Sequence, residues 1–321
     1  NNVPVIVLDV TDPSDPGNVV DGIVGTNLLS GRNLVIDPVP ALGGPSPVLY
    51  VSDPVTTEHN WDTTLSAGDW TAAGNWDAPG VRGSLGIANV RHVTGGDQTA
   101  TIAADTQVWE VNVSGDGGNQ MTLRIEGNAT LTTFSGVNLE GGGVLSLDNG
   151  HIDTQLLENR GGRLEGSGTI VTGSGPIDGQ VENRIGTVAP GDGVGTLNIT
   201  GRFANGPEGT LEFEIGGTTA GTLHDQLIVD GNVALDGKLT AELVAAVPGA
   251  PFVPNVGNAF TMITTTGSQP GELGGEFAQI QTPAGAVWNI QYTSSSAILR
   301  VLSTVAGDFN GDGTVNSADY V

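Results

Sequence analysis

Short runs in which apolar and polar residues alternate recur along the chain, as in residues 210–215 (TLEFEI), 238–244 (KLTAELV) and 297–302 (AILRVL). A period of two places the apolar side chains on one face of an extended strand. Turns rich in Gly, Asn and Asp separate the runs, for example at residues 115–118 and 141–143. The pattern predicts an all-β protein without long helices.

The runs between residues 59 and 200 form a loose repeat. Successive segments begin 22, 23, 19 and 24 residues apart, near Thr99, Met121, Val144, Arg163 and Thr187. Periods of about 20 to 25 residues with Gly-rich corners are typical of solenoids, in which each rung buries its apolar face against the next. We therefore expect a right-handed β-solenoid; the alternative is a β-sandwich with hairpins of similar length.

Four zones divide the chain. Residues 1–58 hold an apolar strand and a segment rich in Pro and Gly, and residues 59–200 hold the solenoid repeats. Residues 201–304 have longer runs and tighter turns, which predicts a strand-rich C-terminal cap or sandwich. Residues 305–321 form a polar segment that resembles the start of a calcium loop.

The charge and residue composition of the chain exclude several classes of function. The formal net charge is −25 with only 10 Lys and Arg, so the chain lacks the basic surface that binds nucleic acid. No apolar run is long enough to span a bilayer. The absence of Cys excludes disulfides and cysteine nucleophiles, and no Gly-x-Ser-x-Gly elbow occurs. We expect a processed piece of a longer exported protein, without enzymatic activity.

Several short motifs follow one another between residues 186 and 244. They are Pro-Gly at 190–191, Gly-Thr-Leu at 195–197, Asp-x-Leu at 225–227 and Gly-x-Leu at 237–239. The series resembles the end of the β-helix in autotransporter-type passengers. Residues 69–76 (DWTAAGNW) resemble the opening motif of autotransporter-associated β-strand repeat proteins. These resemblances imply a bacterial protein that is extracellular or on the cell surface.

Residues 308–319 (DFNGDGTVNSAD) resemble a planctomycete-style dockerin type I repeat. Calcium takes six to eight oxygen ligands, and alternating Asp and Asn side chains before a Gly turn supply them. The alternative is a polar turn without a metal. The resemblance implies calcium as the cofactor, held by Asp308, Asn310, Asp312, Thr314, Asn316 and Asp319.

The N-terminal zone carries a further resemblance. Residues 21–29 (DGIVGTNLL) and 32–37 resemble the late Gly-containing segment of retropepsin-like aspartic proteases. That chemistry needs two carboxylates that share a proton, each in an Asp-Thr/Ser-Gly loop. No such triplet occurs in the chain. We therefore expect a remnant without catalytic power.

The first apolar strand is a candidate donor to a neighbouring copy. It precedes a Pro- and Gly-rich stretch, and a detached apolar strand can complete another chain's sheet. Repeated head-to-tail contacts of this kind build filaments. The alternative is that the strand pairs within its own domain. The donor residues are Val3, Val5, Ile6, Val7 and Leu8.

Two other groups have competing interpretations. Trp61, Trp70 and Trp76 precede the first full rung, and we expect them to cap the solenoid rather than to stack on sugars. Glu212 and Glu214 share one strand face, as in a polysaccharide lyase or hydrolase, although an acidic surface strand explains them more simply.

Three sequons predict glycan attachment at Asn112, Asn128 and Asn198. Taken together, the sequence predicts a secreted or cell-surface structural or adhesive β-protein that assembles with its own copies into a fibre or layer. One alternative is a polysaccharide-binding module or a carbohydrate-active β-helix enzyme. A further alternative is a fragment of an aspartic protease-like exoprotein.

Overall fold

A computed structural model describes most of the chain. The described residues are 5–12, 15–25, 34–37, 48–51, 57–62, 65–77, 86–93, 95–173, 179–245, 252–266, 272–304, 315 and 317. The chain divides into two compact units, residues 1–57 and residues 58–321. Among the described residues, no helix has the length and apolar character of a membrane span.

Strands dominate both units, which confirms the all-β prediction; a short 3-10 turn covers Ala73–Asn75. The strands are β1 (Val5–Asp12), β2 (Asp15–Gly25), β3 (Leu34–Asp37), β4 (Val48–Val51), β5 (Thr57–Asn60), β6 (Ala67–Asp69), β7 (Gly86–Arg91), β8 (Gln98–Ile102), β9 (Thr106–Ser114), β10 (Met121–Glu126), β11 (Thr130–Glu140), β12 (Gly143–Thr154), β13 (Leu156–Arg160), β14 (Arg163–Thr172), β15 (Gln180–Asn183), β16 (Thr187–Pro190), β17 (Thr196–Thr200), β18 (Arg202–Asn205), β19 (Thr210–Ile215), β20 (Gln226–Asp230), β21 (Val233–Leu235), β22 (Lys238–Leu243), β23 (Ala259–Thr266), β24 (Leu273–Gly275), β25 (Gln279–Gln281), β26 (Val287–Tyr292) and β27 (Ser296–Ser303).

The first unit contains two antiparallel strand pairs. β1 pairs with β2 so that Val5 lies opposite Gly25 and Leu8 opposite Gly22, and β3 pairs with β4. Most of the candidate donor strand, including Ile6 and Val7, therefore has a partner within its own unit. Val3 lies outside the described residues. Donation of this strand to a second copy stays a prediction.

The second unit is a three-sided solenoid of parallel strands, as predicted. Face A is built from β6, β8, β10, the first halves of β12 and β14, β16, β19, β22 and β25. Face B is built from the first halves of β9 and β11, the second halves of β12 and β14, β17, β20 and β23. Face C is built from β5, β7, the second halves of β9 and β11, β13, β15, β18, β21 and β24.

The register of face A matches the sequence repeat. Thr99 pairs with Thr122, one residue beyond the predicted start at Met121, and the same column continues through Val144, Arg163 and Thr187. The column then runs on beyond residue 200, through Thr210, Lys238 and Gln279. The solenoid therefore extends into the zone in which the sequence predicts a separate cap or sandwich.

A cap is nevertheless present, at the last rung of face B. There β23 continues the parallel stack through β20 and pairs on its other side with β27, which runs antiparallel. β26 adds a further antiparallel strand to β27. The change of direction ends the parallel ladder on this face.

The core is one continuous column of apolar side chains along the axis of the solenoid. Alternate residues point inward and have almost no exposure, so each buried Leu or Ile contributes about 1.5–3 kcal/mol by removal from water. Successive rungs of face A contribute Leu123, Ile125, Leu145, Leu147, Leu164, Val188, Leu211, Phe213 and Leu239.

The three tryptophans cover the N-terminal end of this core. Trp61, Trp70 and Trp76 are 3%, 2% and 5% exposed, so no ring face is available for a sugar. Trp76 packs edge-on against both neighbours, at centroid distances of 5.2 and 4.9 Å. Its Nε1 donates to the Trp70 carbonyl oxygen at 2.9 Å. Their burial confirms the predicted cap.

Candidate functional site

A cleft of about 290 Å³ opens on face A where β14, β16, β19 and β22 meet. We call it the acidic cleft, because six carboxylates and one guanidinium line it. The end of β16 and the residues that follow it, 190–193, form one wall. The charged residues are Arg163, Glu165, Asp192, Glu212, Glu214, Asp225 and Glu242.

Arg163 forms ion pairs with two of the carboxylates that line the acidic cleft. Its Nε donates to Glu165 Oε2 at 2.6 Å, and its Nη1 donates to Glu212 Oε2 at 2.5 Å. Glu212 lies on β19, two rungs away from Arg163 on β14, with β16 between them. The guanidinium therefore ties non-adjacent rungs together and neutralises part of the negative charge of the cleft.

Asp225 lies at the bottom of the acidic cleft and is 2% exposed. Its Oδ1 accepts the backbone N–H of Gly195 at 2.8 Å, and its Oδ2 accepts that of Glu214 at 2.6 Å. Burial raises the pKa of this carboxyl to about 7, although both N–H donors favour the ionised form. Asp225 thus links the Asp-x-Leu motif to the Gly-Thr-Leu motif of the preceding rung, which gives the motif series a structural cause.

His224, next to Asp225, is also buried. Its Nδ1 lies 3.0 Å from the carbonyl oxygen of Gly217, and its ring packs edge-on against Phe260 at 5.4 Å. Burial lowers the pKa of the imidazole. The pair anchors the loop between β19 and β20, because Gly216 and Gly221 bond to the backbone of Leu223 and His224.

The predicted pair Glu212 and Glu214 does lie on one strand face, and Glu242 follows Glu214 on the next rung. Burial and the charge of Glu242 raise the pKa of Glu214. Such a surface attracts cations. In the part of the chain that the structure describes, however, no three His, Asp or Glu side chains are arranged to hold a metal ion.

An asparagine ladder runs along the outside of face C. Asn138 donates to Asn112, Asn112 to Asn89 and Asn89 to Asn60, at 2.8, 3.0 and 3.0 Å between Nδ2 and Oδ1. Asn60 Nδ2 in turn donates to Asp77 Oδ2 at 2.7 Å. The predicted glycan site Asn112 is therefore part of a hydrogen-bonded ladder.

The other two sequons differ from Asn112. Asn198 Nδ2 donates to the carbonyl oxygen of Gly168 at 3.3 Å on face B. Asn128 lies in an exposed turn with a φ of 65°. Glycan attachment at each of the three stays a prediction, and Asn128 is the most accessible of them.

A second, buried set of asparagines marks the corner after face C. Asn159, Asn183 and Asn205 are in register and at most 3% exposed. Asn183 Nδ2 donates to Asn205 Oδ1 at 2.7 Å, and Asn205 Nδ2 donates to the carbonyl oxygen of Asp236 at 2.7 Å. This set was not predicted from the sequence; its signal is an Asn at the last or next-to-last position of β13, β15 and β18.

The predicted calcium ligands have no described geometry. Asp308, Asn310, Asp312, Thr314, Asn316 and Asp319 all lie outside the described residues. Calcium binding there stays a prediction.

Comparison with known proteins gives one curated relative. No family model matches the chain. The adhesin BmaC autotransporter of Brucella suis biovar 1 (strain 1330) is 31% identical over 128 residues, which cover 39% of this chain and 3% of that relative. The match supports the autotransporter resemblance. The dockerin-like and retropepsin-like resemblances gain no support from it.

Proposed function

We propose that this chain is an extracellular or cell-surface β-solenoid with a structural and adhesive role. The observation that carries the proposal is the continuous parallel stack of the second unit, combined with the similarity to part of an autotransporter adhesin. Nine strands stack on face A at about 4.8 Å each, which gives a stiff rod roughly 40 Å long. A rod of this kind presents its lateral faces to partners.

Adhesion is tested with beads that carry the full chain. We expect these beads to remain on epithelial cell layers or on polysaccharide-coated glass under flow, and beads with heat-unfolded chain to be released. Beads with an unrelated protein of similar net charge control for electrostatics. Equal release of all three bead types from every surface would contradict an adhesive role.

The role proposed here is non-catalytic, since catalytic Asp-Thr/Ser-Gly triplets and nucleophile elbows are absent from the sequence. Incubation with neutral and acidic polysaccharides should release no new reducing ends and no unsaturated products. Turnover that disappears in Glu214→Gln would favour a carbohydrate-active enzyme instead. Release of product with undiminished rate in that variant would indicate a contaminant or a different site.

Self-assembly is the finer part of the proposal. The tryptophans and the antiparallel strands cover parts of the two solenoid ends, so β1 of the first unit is the better candidate for pairing between copies. We expect the full chain to form extended particles by electron microscopy and light scattering, and deletion of residues 1–10 to abolish them. A monomeric full chain contradicts assembly, whereas equal assembly of both forms contradicts the strand-donor mechanism.

Calcium is proposed as the cofactor of the C-terminal segment. Titration calorimetry of the full chain should detect a site that is lost in Asp312→Ala, because this change removes a central carboxylate ligand. Asp148→Ala, on face A, is the control. Equal binding by the wild type and Asp312→Ala would overturn the assignment.

A further inference from the structure

We propose that a groove on face B binds an uncharged oligosaccharide. The groove has a volume of about 360 Å³ and crosses four consecutive rungs, from the turn before β11 to β17. The residues that carry the argument are Asn128, Asn149, His151, Ser167, Thr169 and Asn198. This inference rests on the adhesive role proposed above and names the class of ligand that such a surface would hold.

The solenoid arranges these side chains at regular intervals. His151, Thr169 and Asn198 are in register on β12, β14 and β17, and each is partly exposed and precedes a buried Ile. Their spacing along the axis is therefore about 4.8 Å per rung. Asn128 lies in the turn before β11 and Asn149 at the irregularity within β12, with φ values of 65° and 58°, and both line the groove beside this column.

Much of the hydrogen-bonding capacity in the groove is unused by the protein. The side chains of Asn128, His151 and Thr169 make no hydrogen bond to any residue in the described part of the chain. Asn198 uses its Nδ2 toward Gly168, which leaves its Oδ1 as an acceptor. The groove therefore offers both hydrogen-bond donors and acceptors to a ligand.

The lining selects the class of ligand. It contains amides, hydroxyls, an imidazole and glycine, without a carboxylate, a guanidinium or a large apolar side chain. An acidic glycan is repelled by a chain of net charge −25, and a cation is attracted instead to the acidic cleft. An apolar ligand finds no surface to bury. Sugar hydroxyls both donate and accept, so a neutral glycan matches the lining.

The experiment is affinity electrophoresis of the full chain in gels that contain dextran, mannan or laminarin, with alginate as the acidic comparison. We expect retardation by at least one neutral polysaccharide and none by alginate. Thr169→Val and Asn128→Gly each remove one hydrogen-bonding group and should weaken binding about fivefold to tenfold. Thr122→Val, an outward threonine of face A, is the matched control and should bind like the wild type.

Three results would overturn the proposal: no retardation by any of the neutral polysaccharides, preferential retardation by alginate, or equal retardation of the wild type and both groove variants. Thermal unfolding of each variant verifies that it is folded.

The bead experiment distinguishes failure of this proposal from failure of the adhesive role. If the beads adhere but the gels show no retardation, the groove is not a glycan site and the adhesive role stands. If the beads do not adhere, the adhesive role fails, whether or not the groove binds a polysaccharide.

Discussion

Two buried polar clusters of the solenoid differ in the chemistry of their side chains. At the corner after face C, Asn183 and Asn205 are neutral amides: Asn183 donates to Asn205, and Asn205 donates to backbone carbonyl oxygens. Below the acidic cleft, His224 and Asp225 are titratable groups that anchor a loop. The comparison teaches that an amide ladder stabilises the stack at any pH, whereas the loop anchor makes stability depend on proton concentration.

The largest expected effect concerns Asp225. Its folded-state pKa of about 7 lies above the ordinary value of 3.8, so its stabilising contribution is complete below pH 3.8 and is lost as pH rises through 7. Relative to Asp225→Asn, the wild type should lose about 1.4 kcal/mol of unfolding free energy per pH unit in this window. Urea unfolding from pH 4 to pH 8 measures the difference, and parallel curves for both proteins would refute the assignment.

The next effect tests the amide corner. Asn205→Ala removes three buried hydrogen bonds, to the Asn183 amide and to the carbonyl oxygens of Gly209 and Asp236. The Asn183 amide keeps a second acceptor at Thr210, and the Gly209 carbonyl oxygen keeps the N–H of Lys238. We expect a loss of about 3 kcal/mol in unfolding free energy that does not vary with pH. Asn138→Ala in the outer ladder is the control and should cost about 1 kcal/mol, because water can replace its hydrogen bond. Equal losses would mean that burial does not separate the two ladders.

The smallest effect is expected at His224 and has the opposite sign to that of Asp225. Its pKa is lowered by burial, so the folded state favours the neutral imidazole and stability falls as pH decreases below 6.5. His224→Gln should remove this acid-side loss while leaving the slope caused by Asp225. Chemical unfolding between pH 5 and pH 7 tests it. An unchanged pH profile would show that the imidazole titrates alike in both states.

Much of the fold could be predicted because the sequence patterns that specify it involve residues close together along the chain. Alternation with period two and Gly-rich corners predicted the strands, and the starts near Thr99, Val144 and Arg163 proved to share one column. The buried tryptophans were predicted as a cap from their place before the first full rung. The extension of the stack beyond residue 200 was missed, because the loop that His224 anchors and the insertion after β22 interrupt the period.

The sequence by itself therefore determined the strands, the rung period and the cap, since each depends on neighbouring residues along the chain. Only the tertiary structure decided which polar residues meet. Parallel stacking brings Arg163, Glu212 and Asp225 into one cleft, although the first and last lie 62 positions apart. It also places Asn183 against Asn205. Such contacts depend on how each rung is set above the last, and variable loop lengths hide that register from the linear pattern.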